Sequence, residues 1–194
     1  MIVPVAHDFT CAWCWIGMHQ AFELRSHHGV ALDWRGYEQY PEGMEFPEPM
    51  PMPELLDRPK IPTRLELALA AQGLPKPRAD RPKNIRTHNA HEAVEMGKQW
   101  GVADEVVERI YRAYWLNGDH IGFPDTLVSL LADILDEGEL RHHFEGRRYE
   151  QYIIPFDRPA HATGVFNIPT FWIGDERYAE QPLSVLVRAV EAAR

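Results

Sequence analysis

Two cysteines, Cys11 and Cys14, stand in the stretch "DFTCAWCWIG", and the 194-residue chain has no other thiol. With two residues between them, both sulfurs can meet within one helical turn, so the pair can close a small disulfide ring and open it again. A first cysteine at a helix N-terminus also meets that end's partial positive charge and free N–H groups, which favour the thiolate. In that arrangement Cys11 is the attacking thiolate. Cys14, one turn further in, is the buried thiol that resolves a mixed disulfide. The competing use of such a pair is metal binding, but a closed zinc site takes four ligands. A second Cys pair is absent, and none of the ten histidines has a distinct second-pair spacing beside the motif. The expected chemistry is dithiol redox exchange, with no metal and no organic cofactor. Two inert buried thiols are the plain alternative.

A second signal is "NIPTFWIG". Pro169 precedes a strand-like run, which puts it at a strand start. X–Pro bonds adopt the cis form at low cost. A cis Pro169 beside the dithiol would turn the Ile168 backbone outward, where an extended substrate could pair with it by strand addition. Trp13, between the cysteines, either contacts substrate or packs on a neighbouring helix. Phe9 and Trp15 read as core. His7, four residues before Cys11, either lends the thiol a positive charge or is a satisfied histidine at a strand end. His88 and His91 share one helix face. The adjacent pairs His27-His28 and His142-His143 read as solvated.

The elements that must position these residues are legible in the apolar spacing. "IVPVAHDF" reads as a buried strand. Thr10 then offers a hydroxyl just before a helix start, "CWIGMHQAFELRSHH" continues at helical spacing, and Gly29 closes it. "VALDWRGYEQY" reads as a second strand. Strand, helix, strand is a βαβ unit, with a parallel pair and a right-handed crossover. Residues 41 to 62 are dense in proline and read as a stiffened connection. A proline-recognition ligand is disfavoured, because Pro47 to Pro53 lack a clear flanking basic residue.

A helical block follows. One helix opens at Thr63 with Glu66 in capping-box spacing and ends at Gly73. A second runs from Thr87 to Gly101. A third carries Val106, Val107, Ile110, Tyr114 and Trp115 on one stripe. A fourth runs from Pro124 to Gly138, and "ELRHHFEGRRYEQY" is a weaker helix. After residue 160 the pattern returns to two strands, "GVFNIPTFWIG" and "DERYAEQ", and a last helix begun by Pro182. The expected class is α/β: a thioredoxin fold, βαβ…ββα, with a large all-helical insertion. Residues 1-45 and 155-194 would form the discontinuous core, and 60-150 the inserted domain.

Taken together, "DFTCAWCWIG", "GVFNIPTFWIG" and the helical stretches "AHEAVEMGKQWG" and "YRAYWLNGDHIGFPDTLVSLLADI" resemble the DsbA family of thioredoxin-fold oxidoreductases, in its FrnE-like subgroup. The resemblance implies that Cys11 is the nucleophile, Cys14 the resolving thiol and Pro169 a cis proline. It also gives His91 a place along the substrate cleft. Ala12 departs from the subgroup's usual proline, and Asn167 from a common glycine. The implied partner is a disulfide-containing protein or a small thiol such as glutathione. The related 2-hydroxychromene-2-carboxylate isomerases and kappa-class glutathione transferases typically carry serine at the position of Cys11, which leaves a glutathione-dependent isomerase or transferase as one alternative. A non-catalytic peptide-binding module is another.

Bulk properties narrow the class. Hydrophobic residues make up 45% of the chain and charged residues 25%, an ordinary globular balance. The net charge of −9 opposes binding to nucleic-acid backbones or to an anionic membrane. "MIVPVAHDFTCAWC" lacks the basic and apolar regions of a secretory signal. A cytoplasmic location is therefore expected, and there a close thiol pair is more often catalytic than structural. The sequence carries no signal for oligomeric state.

Overall fold

The first strand, β1, covers Ile2–His7, and its β-branched residues bury Val3 and Val5. The computed structural model describes residues 1–48, 61–156 and 158–194. Helix α1, Ala12–His28, ends at Gly29, whose φ of 54° lies in the left-handed region that glycine enters without strain. Strand β2, Ala31–Glu38, lies parallel to β1, with Val5 opposite Trp34. Of the proline-dense segment, residues 41–48 hold no helix or strand, and 49–60 lie outside the described residues.

Five helices come next: α2 (Arg64–Ala71), α3 (His88–Trp100), α4 (Ala103–Arg112), α5 (Pro124–Leu131) and α6 (Glu137–Gly146). Thr63 and Glu66 form the expected reciprocal capping box at the head of α2. The chain returns through the short strand β3 (Ile154–Pro155) and helix α7 (Arg158–Ala162). Strands β4 (Thr170–Ile173) and β5 (Glu176–Ala179) and helix α8 (Leu183–Ala192) complete it. The sheet is mixed, in the order β3-β2-β1-β4-β5. Strands β1, β2 and β3 run parallel, while β4 is antiparallel to both β1 and β5. This is the thioredoxin-like α/β fold, with α2 to α6 between β2 and β3.

The helices between the strands share a core with the sheet. One cluster of buried side chains runs from Val5 and Trp15 through Val94, Ile110 and Trp115 to Phe171 and Leu186. Two local features depart from the sequence expectation. The helix opened by Pro124 stops at Leu131, and Gly138 lies inside α6. The Asp136 carboxylate accepts the Glu139 N–H and so starts a new helix where one continuous helix was expected. After α4 the backbone widens into a π-turn over Ala113–Asn117, which turns the consecutive Tyr114 and Trp115 both inward. No helix among the described residues is long and apolar enough to cross a membrane.

Candidate active site

Cys11 is the N-cap residue of α1, and Cys14 lies in the first turn of the helix. The Cys11 carbonyl accepts the N–H groups of Cys14 and Trp15, each at 3.1 Å. The Thr10 hydroxyl does not cap the helix. It donates instead to the Asp8 carboxylate at 3.0 Å, which leaves the sulfur of Cys11 at the helix end. Cys11 is 9% exposed and Cys14 is fully buried. Burial first, and then the neighbouring Cys11 sulfur, push the Cys14 thiol well above its ordinary value. An exposed edge therefore belongs to Cys11 alone.

The Cys11 sulfur faces the Ile168 carbonyl oxygen at 3.7 Å. The Ile168–Pro169 peptide is cis. Gly17, on the second turn of α1, makes room for the proline: a Cβ there would lie 2.7 Å from Pro169 Cγ. The Pro169 carbonyl in turn accepts the Glu180 N–H at 3.1 Å. Helix α1 and the start of β4 therefore hold Ile168 against the dithiol.

Beneath the cysteines lies Asp8, a residue that the motif reading passed over. Its carboxylate is buried, and it accepts from the Thr10 N–H (2.9 Å), the Gln39 N–H (2.8 Å) and the Thr87 hydroxyl (3.3 Å). Burial pushes its pKa up to about 6, against the pull of those hydrogen bonds. The Asp8 carbonyl accepts from the Cys11 N–H and from the Tyr111 hydroxyl, both at 3.2 Å. The indole N–H of Trp115 donates to the Phe9 carbonyl at 2.8 Å. Two residues after α3, one from α4 and one from its π-turn, thus clamp the loop that presents Cys11. An acid at the end of a buried strand, three residues before the first cysteine, is the signal that could have found Asp8.

The histidines divide. His7 is a buried strand-end residue, paired at one ring nitrogen only: Nδ1 meets the Tyr111 hydroxyl at 3.0 Å, Nε2 has no hydrogen-bond partner among the described residues, and burial first, then Lys98, lowers its pKa to about 3. It is neutral and lends no charge to the thiol. His91 does not line the cleft. It is 1% exposed, sits over Gly36 and meets the rings of His7 and Phe9, because the inward face of α3 packs on β2. His143 is also buried, stacked on Tyr149 at 4.7 Å, while His142 is exposed. Phe9 and Trp15 are core residues.

Trp13 is half-buried, with the Arg64 guanidinium 4.6 Å above its ring. It separates two depressions. One, about 520 Å³, holds Cys11 and is also lined by Gln39, Tyr40, Arg81, Lys83 and Tyr114. The other, about 410 Å³, is mainly apolar and lined by Ile16, Ala68 and Leu183.

Comparison with known proteins agrees with this fold. Residues 2–191 match the family described as DSBA-like thioredoxin domain. Among solved structures, a probable DsbA oxidoreductase from Streptomyces coelicolor is 21% identical with a TM-score of 0.73, over 100% of this chain and 89% of that one. A 2-hydroxychromene-2-carboxylate isomerase is 17% identical with a TM-score of 0.70, over 99% and 95%. The cytosolic disulfide reductase DsbM from Pseudomonas aeruginosa, solved with GSH, is 16% identical with a TM-score of 0.62, over 100% and 95%. A comparison with curated proteins gives no match.

Proposed function

Because the chain belongs to the DSBA-like thioredoxin domain family, a family of thiol–disulfide oxidoreductases, we propose that Cys11 and Cys14 are its redox-active dithiol. The observation that carries this reading is the pairing of a sulfur at the edge of the cleft with one sealed beneath it. Cys11 caps α1 at 9% exposure, and Cys14 has none. A substrate disulfide can reach only the first.

The Cys11 thiolate attacks one substrate sulfur. The S–S bond breaks, and the first thiol leaves with the bonding electron pair and takes up a proton. Cys14 gives up its proton and attacks the Cys11 sulfur of the mixed disulfide, which releases the second thiol. The substrate is reduced by two electrons, and the protein is left with a Cys11–Cys14 disulfide. A small thiol or a protein partner restores the dithiol. Substrate lies in the cleft between the sheet and the inserted helices, with Trp13 as its wall and the Ile168–Pro169 backbone as its pairing edge. In a reducing cytoplasm the direction is reduction or isomerisation. The FrnE-like resemblance belongs to the same reading.

Equilibrating the purified protein across a series of reduced-to-oxidised glutathione ratios tests it, with intact mass read after acid quench and alkylation. A disulfide that opens and closes at one defined ratio is the expected result. If the pair never closes and glutathione only caps Cys11, the reading fails, and a glutathione-dependent isomerase or transferase takes its place.

A further inference from the structure

The wall of the Cys11 cleft carries positive charge that no carboxylate among the described residues neutralises. Arg81 and Lys83 both line it, and no Asp or Glu does so among the described residues. This is a chain of net charge −9, in which Arg25, Arg109, Arg141 and Arg147 are all paired with carboxylates. Among the described residues, neither Arg81 nor Lys83 has such a partner. Arg78 takes up Asp80, the acid next to Arg81 in sequence. The carboxylate of Asp8 is buried and holds four other donors.

Arg81 is also held in place. Its guanidinium lies 4.2 Å from the Trp115 ring centroid and 5.7 Å from that of Tyr114. One of its terminal nitrogens donates to the Arg78 carbonyl, and its Nε is buried with no hydrogen-bond partner. Arg86, nearby, differs. Its donors go to the carbonyls of Tyr40, Pro41 and Met44, which ties down the segment that brings Tyr40 to the cleft. A planar guanidinium fixed against aromatic rings loses little freedom when it binds a carboxylate.

We propose that Arg81, assisted by Lys83, is an anion-recognition site that selects small disulfides carrying carboxylates. This rests on the dithiol reading above and names its substrate class. The cleft of about 520 Å³ falls within the range of small-molecule sites, about 300–1,000 Å³. That favours a small disulfide over a folded protein.

The test compares the reduced protein's reaction with dithiodiglycolate, which is anionic, hydroxyethyl disulfide, which is neutral, and cystamine, which is cationic. Formation of the Cys11–Cys14 disulfide is followed by quench and intact mass. Dithiothreitol serves as a reference thiol for the intrinsic reactivity of each disulfide. The anionic-to-neutral rate ratio should exceed that of dithiothreitol by about tenfold, the size of one charge-assisted hydrogen bond. It should fall with added salt, with cystamine slowest of the three. Arg81→Gln should remove most of the preference and Arg81→Lys should keep part of it. A ratio equal to that of dithiothreitol, or one unmoved by Arg81→Gln, overturns the charge assignment while the dithiol reading stands. If hydroxyethyl disulfide also fails to close the pair, the dithiol reading itself falls and this proposal with it. An acidic peptide disulfide that outcompetes dithiodiglycolate overturns the small-molecule assignment.

Discussion

At the sulfur of Cys14, burial and reactivity pull in opposite directions. A thiol with no exposure, pushed well above its ordinary value, is protected from every disulfide except the one delivered by Cys11. Cys14→Ser should therefore stall turnover with substrate covalently held on Cys11, seen as an adduct in non-reducing intact mass. Cys11→Ser should give no adduct. Asp8 invites a pH experiment. Its folded pKa, about 6, lies above the ordinary 3.8, so the folded state keeps a proton that the unfolded chain has released. The stability this group contributes is full below 3.8 and is lost as pH rises through 6. His7, held down to about 3 from 6.5, runs the other way: its contribution is present above 6.5 and is lost as pH falls toward 3. The Asp8 slope must accordingly be read as a difference. Between pH ~4 and ~7, the wild type should lose about 2 kcal/mol relative to Asp8→Asn. Urea midpoints across that range measure it, and parallel curves for the two proteins would refute it.

At the scale of elements, the site depends on two close approaches. Helix α1 meets Pro169 at Gly17, and a Cβ there would stand 2.7 and 2.8 Å from the proline ring. Gly17→Ala should push Ile168 away from Cys11, costing about 1–3 kcal/mol in the folded protein. It should also slow disulfide exchange when the variant is assayed below its melting temperature. The second approach is made by the π-turn after α4, where the Trp115 indole reaches the Phe9 carbonyl. Trp115→Phe keeps most of the ring but loses that donor. A loss of about 1 kcal/mol is expected, together with faster hydrogen exchange in the 8–11 loop. Unchanged exchange there would mean that the clamp does not hold the loop. The helical period was readable for α3 and α4. The π-turn was not, because a stripe that places Tyr114 and Trp115 together fits a continuous helix equally well. The break between α5 and α6 was hidden in the same way, since Asp136 becomes visible as a cap only once its carboxylate meets the Glu139 N–H.

Across the whole molecule, the inserted helices are bound to the sheet by buried charge as well as by apolar packing. His88 at the head of α3 lies 3.2 Å from the Glu38 carboxylate of β2 and 3.3 Å from that of Glu92. Burial opposes its charge, but the two carboxylates outweigh this and raise its pKa to about 9. The stabilisation is complete below 6.5 and is lost as pH rises through 9. Thermal midpoints measured from pH ~6 to ~10 should fall in the wild type and stay flatter in His88→Gln. A variant with the same alkaline slope would show that this cluster does not couple helix to sheet.

Local spacing in the sequence is enough to read the alternation of strand and helix, the candidate thiol pair and the proline that opens the strand-like run after residue 168. Each of these is a matter of local spacing: period two or near four, two residues between cysteines, a proline before β-branched neighbours. Tertiary structure decided which groups share a cavity. His91 and His143 are polar residues at helical spacing, and only the packing of α3 on β2 and of α6 on Tyr149 buries them. Asp8 is one acid among many until Gln39, Thr10 and Thr87 close around it. Arg81 lies 70 positions from Cys11 in the chain, and its place on the cleft wall follows from long-range packing on Trp115 that no short pattern encodes.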